Sequence, residues 1–367
     1  MLDFKLPSLG ADMDDGKLLK WNVEPGQSVK KGDVVAVVDT TKAAVDVEIW
    51  FDGIVHRLIT EVGQTIPVGT VMATLLAPGE TAPLVEAKVA LPTAPVPRQR
   101  VSPAARQRAH ELGLDLANVV GTGPEGVVLR EDVELAAKGA APASVDRVAE
   151  MRRAIAAAMS RSKREIPHYY LAETVPMRKA LDWLRTANEQ RPVTARLLPA
   201  ALLLKAVALA VHDVPEMNGL YVDGAFRANA AAHIGVAISL RQGGLIAPAL
   251  HDAQGKSLDE LMRDLSDLVK RCRAGSLRSS EMSDPTITVT NLGDQGVESV
   301  FGVIYPPQVA LVGFGRVIER PWVEEGKLSV TPAVTASLSA DHRVSDGHRG
   351  ALFLARLRDL LQQPEAL

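Results

Sequence analysis

Val23-Glu24-Pro25-Gly26-Gln27-Ser28-Val29-Lys30-Lys31-Gly32-Asp33-Val34-Val35-Ala36 returns further along the chain as Thr60-Glu61-Val62-Gly63-Gln64-Thr65-Ile66-Pro67-Val68-Gly69-Thr70-Val71-Met72-Ala73. Gly26, Gln27, Gly32, Val34 and Ala36 recur as Gly63, Gln64, Gly69, Val71 and Ala73. Each half reads as a glycine turn, a short strand, a second glycine turn and another strand, because glycine punctuates runs of alternating polarity. The repeat therefore predicts two small antiparallel sheets related by a pseudo-twofold axis across residues 1–77. Between the halves, Val37-Val38-Asp39-Thr40-Thr41-Lys42-Ala43-Ala44-Val45-Asp46-Val47 places Lys42 on the polar tip between two alternating strands. A lysine on a hairpin tip is in most proteins a solvated charge, so Lys42 takes its meaning from the rest of the chain.

Working outward, residues 78–100 turn to Pro, Ala, Val and Thr, with Pro78, Pro83, Pro92, Pro95 and Pro97. Such a segment is extended and semi-stiff, reaching about 3 Å per residue, and works as a tether. Residues 101–137 read as a mini-domain. Ser102-Pro103-Ala104-Ala105-Arg106 opens a helix, Leu112-Gly113 closes it, and Leu129-Arg130-Glu131-Asp132-Val133 begins a second one. Gly121-Thr122-Gly123 between them has neither a preceding strand nor a following Lys-Ser/Thr, so it does not read as a phosphate loop. A second linker, residues 138–144, leads to one large unit, 145–367. Helix patterns there cover Ala149 to Lys163, Arg178 to Gln190, Ala195 to His212 and Ser257 to Ala274. Strand patterns cover His233 to Ser239, Leu245 to Leu250, Thr286 to Thr290, Val309 to Val317 and Ala333 to Leu338. Helices packed on a mixed sheet are expected.

Chemistry concentrates near the C-terminus. Ser339-Ala340-Asp341-His342-Arg343-Val344-Ser345-Asp346-Gly347 follows a strand and precedes a helix with an apolar stripe that includes Leu352, Leu354, Leu357 and Leu361. An imidazole at such a corner is exposed yet held still, as a general base must be. Thr286-Ile287-Thr288-Val289-Thr290-Asn291-Leu292-Gly293 ends a strand in a hydroxyl, an amide and a glycine turn, and Val303-Ile304-Tyr305-Pro306-Pro307-Gln308 follows. Alone, Thr290 and Asp346 read equally well as caps.

Composition narrows the classes. The net charge of −3 argues against nucleic acid as main partner. The single cysteine, Cys272, cannot form an intrachain disulfide, and a reducing compartment follows. The start lacks signal-peptide features, and the apolar run Leu197 to Val211 is interrupted by Lys205, which predicts a buried helix and a soluble, cytoplasmic protein. His56, His110, His212, His233, His251 and His348 show no metal-site spacing, so no metal is expected.

Taken together, these stretches resemble the dihydrolipoamide acyltransferases of the 2-oxo acid (or acetoin) dehydrogenase complexes, in that family's domain order. Residues 1–77 resemble a lipoyl domain, an all-β barrel-sandwich hybrid, which implies lipoate in amide linkage to Lys42. Biotinyl domains share that fold, but Thr41 and Ala43 stand where those usually carry methionines. Residues 101–137 are similar to the small helical peripheral-subunit-binding domain, which implies docking of the thiamine-diphosphate-dependent decarboxylase or of dihydrolipoamide dehydrogenase through basic residues, Arg106 matching one. His110 and Val127 stand where relatives often carry arginine. Residues 145–367, from Met151-Arg152-Arg153-Ala154-Ile155-Ala156 through Ile166-Pro167-His168 to the last helix, are similar to the α/β catalytic domain shared with chloramphenicol acetyltransferase. The resemblance implies transfer of an acyl group from S-acyl-dihydrolipoyl-lysine to coenzyme A. In it His342 is the base, Thr290 the oxyanion donor, Asp346 a support for the histidine with Arg343 as its structural partner, and Asn291 a supporting residue. It also implies a homotrimer whose base and oxyanion donor come from different subunits. The chain stops at Gln363-Pro364-Glu365-Ala366-Leu367 without the hydrophobic tail that joins trimers in larger cores, so an isolated trimer and no 24-mer or 60-mer is expected. A non-catalytic lipoyl-bearing scaffold is the alternative, against which the retained His342 speaks. The acyl group, whether acetyl, succinyl, branched-chain or acetoin-derived, stays open.

Overall fold

The computed structural model describes residues 1–8, 13, 15–40, 44–77, 101–112, 119, 121–124, 127–139, 147–240, 244–293, 296–324 and 326–367. Lys42 with its neighbours Thr41 and Ala43, both linkers apart from Lys138 and Gly139, and Gly113 lie outside the described residues.

The repeat folds as its glycines dictate. Eight strands, β1 (Leu2–Lys5), β2 (Asp15–Trp21), β3 (Ser28–Val29), β4 (Val34–Asp39), β5 (Ala44–Glu48), β6 (Gly53–Leu58), β7 (Thr65–Pro67) and β8 (Val71–Leu76), form antiparallel sheets ordered β1-β8-β6-β3 and β5-β4-β2-β7. Gly26 and Gly63 have φ of +91° and +93°, and Gly32 and Gly69 of +94° and +86°, a region that side chains disfavour. The Gly26 N–H bonds the Val55 carbonyl, and the Gly63 N–H bonds the Leu18 carbonyl, both at 2.7 Å. The Gln27 and Gln64 side chains each accept from the backbone N–H three residues back, at 3.1 Å. Each half thus closes on the other, and Phe4, Leu18, Val38, Val47, Met72 and Leu75 fill the space between the sheets. Strands β4 and β5 remain paired from Val34↔Glu48 to Asp39↔Ala44, so Lys42 belongs to the short connection beyond the last pair.

The small middle unit has helices α1 (Pro103–Leu112) and α2 (Arg130–Gly139) over a core of Ala105, Ala109, Val119, Val128 and Val133. The Ser102 hydroxyl caps α1 by accepting from the Ala105 N–H at 3.2 Å. Asp132 organises the glycine-rich loop. Its carboxylate accepts from the Thr122 hydroxyl at 2.6 Å, the Thr122 N–H at 3.0 Å and the Leu129 N–H at 2.8 Å, and these bonds, the hydroxyl's first, hold its pKa down. The Gly-Thr-Gly stretch therefore spends its donors on the fold and not on a phosphate.

The large domain runs α3 (Arg147–Glu165), β9 (His168–Pro176), α4 (Arg178–Glu189), α5 (Pro199–Asp213), β10 (Gly219–Val222), β11 (Ala225–Ala228), β12 (Ile234–Val236), β13 (Ile238–Ser239), β14 (Leu245–Ile246), β15 (Ala249–Leu250), α6 (Leu258–Ala274), β16 (Leu277–Arg278), α7 (Ser279–Ser283), β17 (Ile287–Asn291), β18 (Ala310–Phe314), β19 (Ile318–Glu324), β20 (Lys327–Asp341) and α8 (Gly347–Leu361). Its main sheet has the order β15-β12-β17-β18-β20-β19, with β9 also paired to β20. β12, β17 and β18 are mutually parallel and the pairs of β20 are antiparallel, so the sheet is mixed. Helix α6 shows why the sequence signals its ends. Ser257 and Glu260 form a reciprocal capping box, and Gly275 closes the helix at φ +72°.

One sequence expectation shifts and another holds. On α8 the buried stripe is Phe353, Leu354, Leu357, Leu360 and Leu361, whereas Leu352 is 42% exposed. The apolar stretch around α5, Val193–Asp213, is long and apolar enough by composition to cross a membrane, yet α5 lies in the domain core against α8 and α6. Buried Lys205 donates to the carbonyls of Gln254 at 2.7 Å and Lys256 at 2.6 Å, while burial pushes its pKa down. Lys205→Met keeps an unbranched side chain only one atom shorter but strips both carbonyls of their donor, and should cost about 2 kcal/mol. A lowered urea midpoint for the large domain checks this, and an unchanged one refutes it.

Candidate active site

Strand β20 delivers the chain to a tight corner before α8, and one carboxylate shapes it. Asp341 is fully buried and accepts from the Arg343 N–H at 2.9 Å, from its Nε at 3.0 Å and from its Nη2 at 2.6 Å. A buried carboxylate needs such compensation. The Arg343 guanidinium in turn lies 3.9 Å from the Tyr221 ring centre. Arg343 is thus the partner of Asp341, not of Asp346, which corrects the sequence reading. Between them His342 is exposed, its backbone N–H bonding the Pro167 carbonyl at 2.9 Å and its ring meeting Tyr169 edge-on at 5.3 Å. Tyr169 is itself fixed by a 2.8 Å hydroxyl contact with Ser345.

Asp346 caps α8, accepting from the Arg349 N–H at 3.0 Å. That bond holds its carboxyl below the usual range, the His348 N–H and then the His348 and His342 imidazoles adding to the effect. Its contact with His342 is therefore one of charge at a distance, and its hydrogen bonds go to the helix.

Thr290 sits half-buried near the end of β17. In the sheet it pairs with Gly313, which pairs with Ser337. Ser337 precedes His342 by five positions on the extended chain, about 17 Å at 3.4 Å per residue, and two strand spacings of about 4.8 Å separate the lines. Thr290 and His342 of one chain therefore cannot serve the same thioester. The Asn291 side chain accepts from the Gly293 N–H at 2.9 Å and closes the turn after Thr290.

His168 is fully committed. Its Nδ1 faces the Ile166 carbonyl at 2.8 Å and so carries the proton, and its Nε2 accepts from the Ile304 N–H at 3.1 Å. Burial pushes its pKa down, which keeps this neutral tautomer. The segment it holds is secured again by hydroxyls, Ser339 to the Gly302 carbonyl at 2.8 Å and Ser162 to that of Ile304 at 2.6 Å. Cys272 is buried in the core, and burial raises its thiol pKa to about 11, so it is inert. Arg106 is exposed on α1, and Lys42 lies outside the described residues. Among the described residues no group of His, Cys, Asp or Glu is placed to hold a metal ion.

Sequence reasoning singled out His342, Thr290 and Asp346 but passed over Asp341 and Tyr221, which shape the corner. The Asp-His-Arg order was visible, yet only burial shows that Asp341 and not Asp346 is the structural carboxylate. Tyr221 carried no local signal at all.

Comparisons with known proteins agree with this geometry. The family model for the 2-oxoacid dehydrogenases acyltransferase catalytic domain matches residues 141–367, that for an e3 binding domain matches 100–134, and that described as biotin-requiring enzyme, which covers biotinyl and lipoyl domains, matches 2–75. The dihydrolipoyllysine-residue acetyltransferase component of the pyruvate dehydrogenase complex of Rhizobium meliloti is 30% identical over 443 residues, spanning 99% of this chain and 98% of that one. A probable dihydrolipoamide acetyltransferase from Listeria monocytogenes superposes with a TM-score of 0.55 at 30% identity, covering 58% of this chain and 92% of that one. The Azotobacter vinelandii dihydrolipoamide acetyltransferase, at 29% identity and a TM-score of 0.55, covers 59% of this chain and 90% of that one. A serine, a histidine and an asparagine have been investigated for their role in its catalytic mechanism, and Thr290, His342 and Asp346 follow one another at the same intervals here. With its lipoyl, e3-binding and catalytic domains in this order, the chain belongs to the 2-oxo acid dehydrogenase acyltransferases.

Proposed function

We propose that this acyltransferase carries acetyl groups, passing them from dihydrolipoyl-Lys42 to coenzyme A with His342 as base and Thr290 of a neighbouring subunit as oxyanion donor. The observation that carries the reading is the His342 corner, exposed and immobilised, in a chain whose full-length relatives are named as acetyltransferases of pyruvate dehydrogenase complexes. Lipoate on Lys42 supplies a thiol on a long arm that holds the acyl group as a thioester. The hairpin fits that role, since β4 and β5 are paired up to the residues flanking the lysine's connection.

Acyl exchange between thiols needs a thiolate, and a thiol with an ordinary pKa near 8.5 is mostly protonated at neutral pH. His342 takes the proton from the coenzyme A sulfur as that sulfur attacks the acyl carbon. The carbonyl oxygen becomes an oxyanion, and the Thr290 hydroxyl donates to it, a bond worth about 3 kcal/mol where such donors have been removed. When the old carbon–sulfur bond breaks, the leaving sulfur recovers the proton from His342. Asp346, ionised as the cap of α8, favours the imidazolium that forms in between.

The separation of Thr290 from His342 within one chain supports a trimer with shared sites. The cubic core of the pyruvate dehydrogenase complex is built from a domain 28% identical to this one, which weighs against the expectation of an isolated trimer. The e3-binding match supports tethering of dihydrolipoamide dehydrogenase and the decarboxylase by residues 101–137, with Arg106 in the contact, and the lone, inert cysteine suits the cytoplasm. The test is a transfer assay with dihydrolipoamide and a panel of acyl-coenzyme A donors. Acetyl should exceed succinyl and isobutyryl by about tenfold or more in kcat/KM, as pocket discrimination of a few methylene or carboxylate groups allows. A preference for succinyl or a branched acyl group would overturn the acetyl assignment, and an intact mass without a lipoyl increment would overturn Lys42 as the carrier.

A further inference from the structure

The lipoyl and acyltransferase domains meet through strand addition. Strand β5, the one that follows Lys42, is the outer strand of its sheet, and β16 pairs with its free edge in parallel, Leu277 against Val45 and Arg278 against Asp46. An outer strand presents unpaired N–H and C=O groups that invite such pairing. The junction continues beyond the strands. The Glu48 N–H donates to the Ser279 hydroxyl at 3.1 Å, and the Ser280 hydroxyl donates to the Glu48 carboxylate at 2.5 Å. Met282 packs against the rim of the lipoyl-domain core.

The receiving segment is anchored in its own domain. Leu277 is fully buried in the acyltransferase core, the Arg278 N–H donates to the Glu281 carboxylate at 2.8 Å, and Glu281 also binds Arg271 at 2.6 Å. Arg271 and Arg278 both attract the Asp46 carboxylate, against the burial that raises its pKa. The lipoyl domain brings 11 Asp and Glu against 7 Lys and Arg in residues 1–77, so the arginines meet a complementary partner.

The junction lies toward the base. Ser8 of the lipoyl domain lines a cavity of about 290 Å³ together with Met282, Pro285 and Pro306. Pro306 and Pro307 also wall a second cavity of about 200 Å³, which reaches Tyr221 and Arg343, the neighbour of His342. The sheet agrees, since the Asp341 N–H bonds the Val309 carbonyl where β18 begins, the same end at which Pro285 leads into β17.

We propose that Leu277–Ser280 is the surface on which the acyltransferase domain receives the lipoyl domain by its edge strand β5, the strand that follows Lys42 in the chain, on the side of the domain that carries the His342 end of the sheet. The proposal rests on the acyl-transfer reading given above. A two-residue ladder with a charged flank is small, as suits a carrier that must leave again for other partners, and the tether supplies the high local concentration that makes so small a contact sufficient.

The test uses the full-length, lipoylated protein with Asp46→Lys, Arg278→Glu and the double variant, lipoylation being verified by intact mass. Two rates are compared: acetyl transfer between acetyl-coenzyme A and the protein's own dihydrolipoyl group, and transfer to free dihydrolipoamide, which needs no docking. Each single variant should slow the first by about five- to tenfold and leave the second unchanged, and the double variant should recover to within about threefold of wild type. Hydrogen exchange of residues 44–48 and 277–280 should be faster in the single variants than in wild type. An unchanged or faster tethered rate, equal losses in both assays, a double variant no better than the singles, or unaltered exchange would each overturn the docking surface. Failure of the wild type on free dihydrolipoamide would instead overturn the acyl-transfer reading itself.

Discussion

Replacing His342 with alanine is expected to lower kcat for acyl exchange between dihydrolipoamide and coenzyme A by about 10²- to 10⁴-fold, the contribution of a positioned general base. Stability should hardly change. The ring is exposed and touches Tyr169 only edge-on, while the corner is fixed by the His342 backbone N–H and the Asp341–Arg343 pair, all of which the variant keeps. The pH dependence supplies a sharper readout. Without a base the residual rate must come from the small fraction of coenzyme A already present as thiolate, so it should rise about tenfold per pH unit up to the thiol pKa near 8.5. The wild type should show a much flatter profile around neutrality. A variant with wild-type turnover, or with a low rate independent of pH, would remove His342 from the mechanism.

The second large effect is one of complementation. Thr290→Ala should cost about 10²-fold in kcat, as oxyanion donors do, and Thr290→Ser should retain most activity because the hydroxyl remains. His342→Ala and Thr290→Ala proteins assembled separately should both be nearly inactive. Co-expressed in equal amounts, they should recover about one quarter of the wild-type sites, because three of four random trimers are mixed and each mixed cyclic trimer contains one interface with both groups intact. The register of the sheet supports this expectation, since Thr290 aligns with Ser337 through Gly313 and His342 lies five residues farther along the chain. Mixed assemblies as inactive as their parents would show that the two residues do not meet across an interface.

How much of this was readable in advance follows from where the information sits. The lipoyl fold was legible because Gly26, Gly32, Gly63 and Gly69 are needed at positive φ, and a backbone requirement of that kind writes itself into the sequence twice. Helix α6 was legible to within a residue because Ser257, Glu260 and Gly275 mark both its ends. Strand β9 escaped notice because His168-Tyr169-Tyr170-Leu171 does not alternate, its faces being decided by β20 and α8. Strand β19 and the first half of β20 escaped for the opposite reason. Val323, Leu328 and Val330 are exposed, so burial did not sort their side chains into two faces. In the site, His342 and Thr290 stood out because they end strands, whereas the partnership of Arg343 with Asp341 depends on burial that no local pattern encodes.

The buried Asp341 has a consequence for anyone who would vary the residues around His342. Its charge is balanced by Arg343, and Arg343 is steadied by Tyr221 from a distant hairpin, so the three form one structural unit. Losing the Arg343 guanidinium strands the buried Asp341 carboxylate, whereas losing Asp341 leaves an arginine that solvent still reaches. Single changes at Arg343 will therefore cost stability that single changes at the exposed His342 do not.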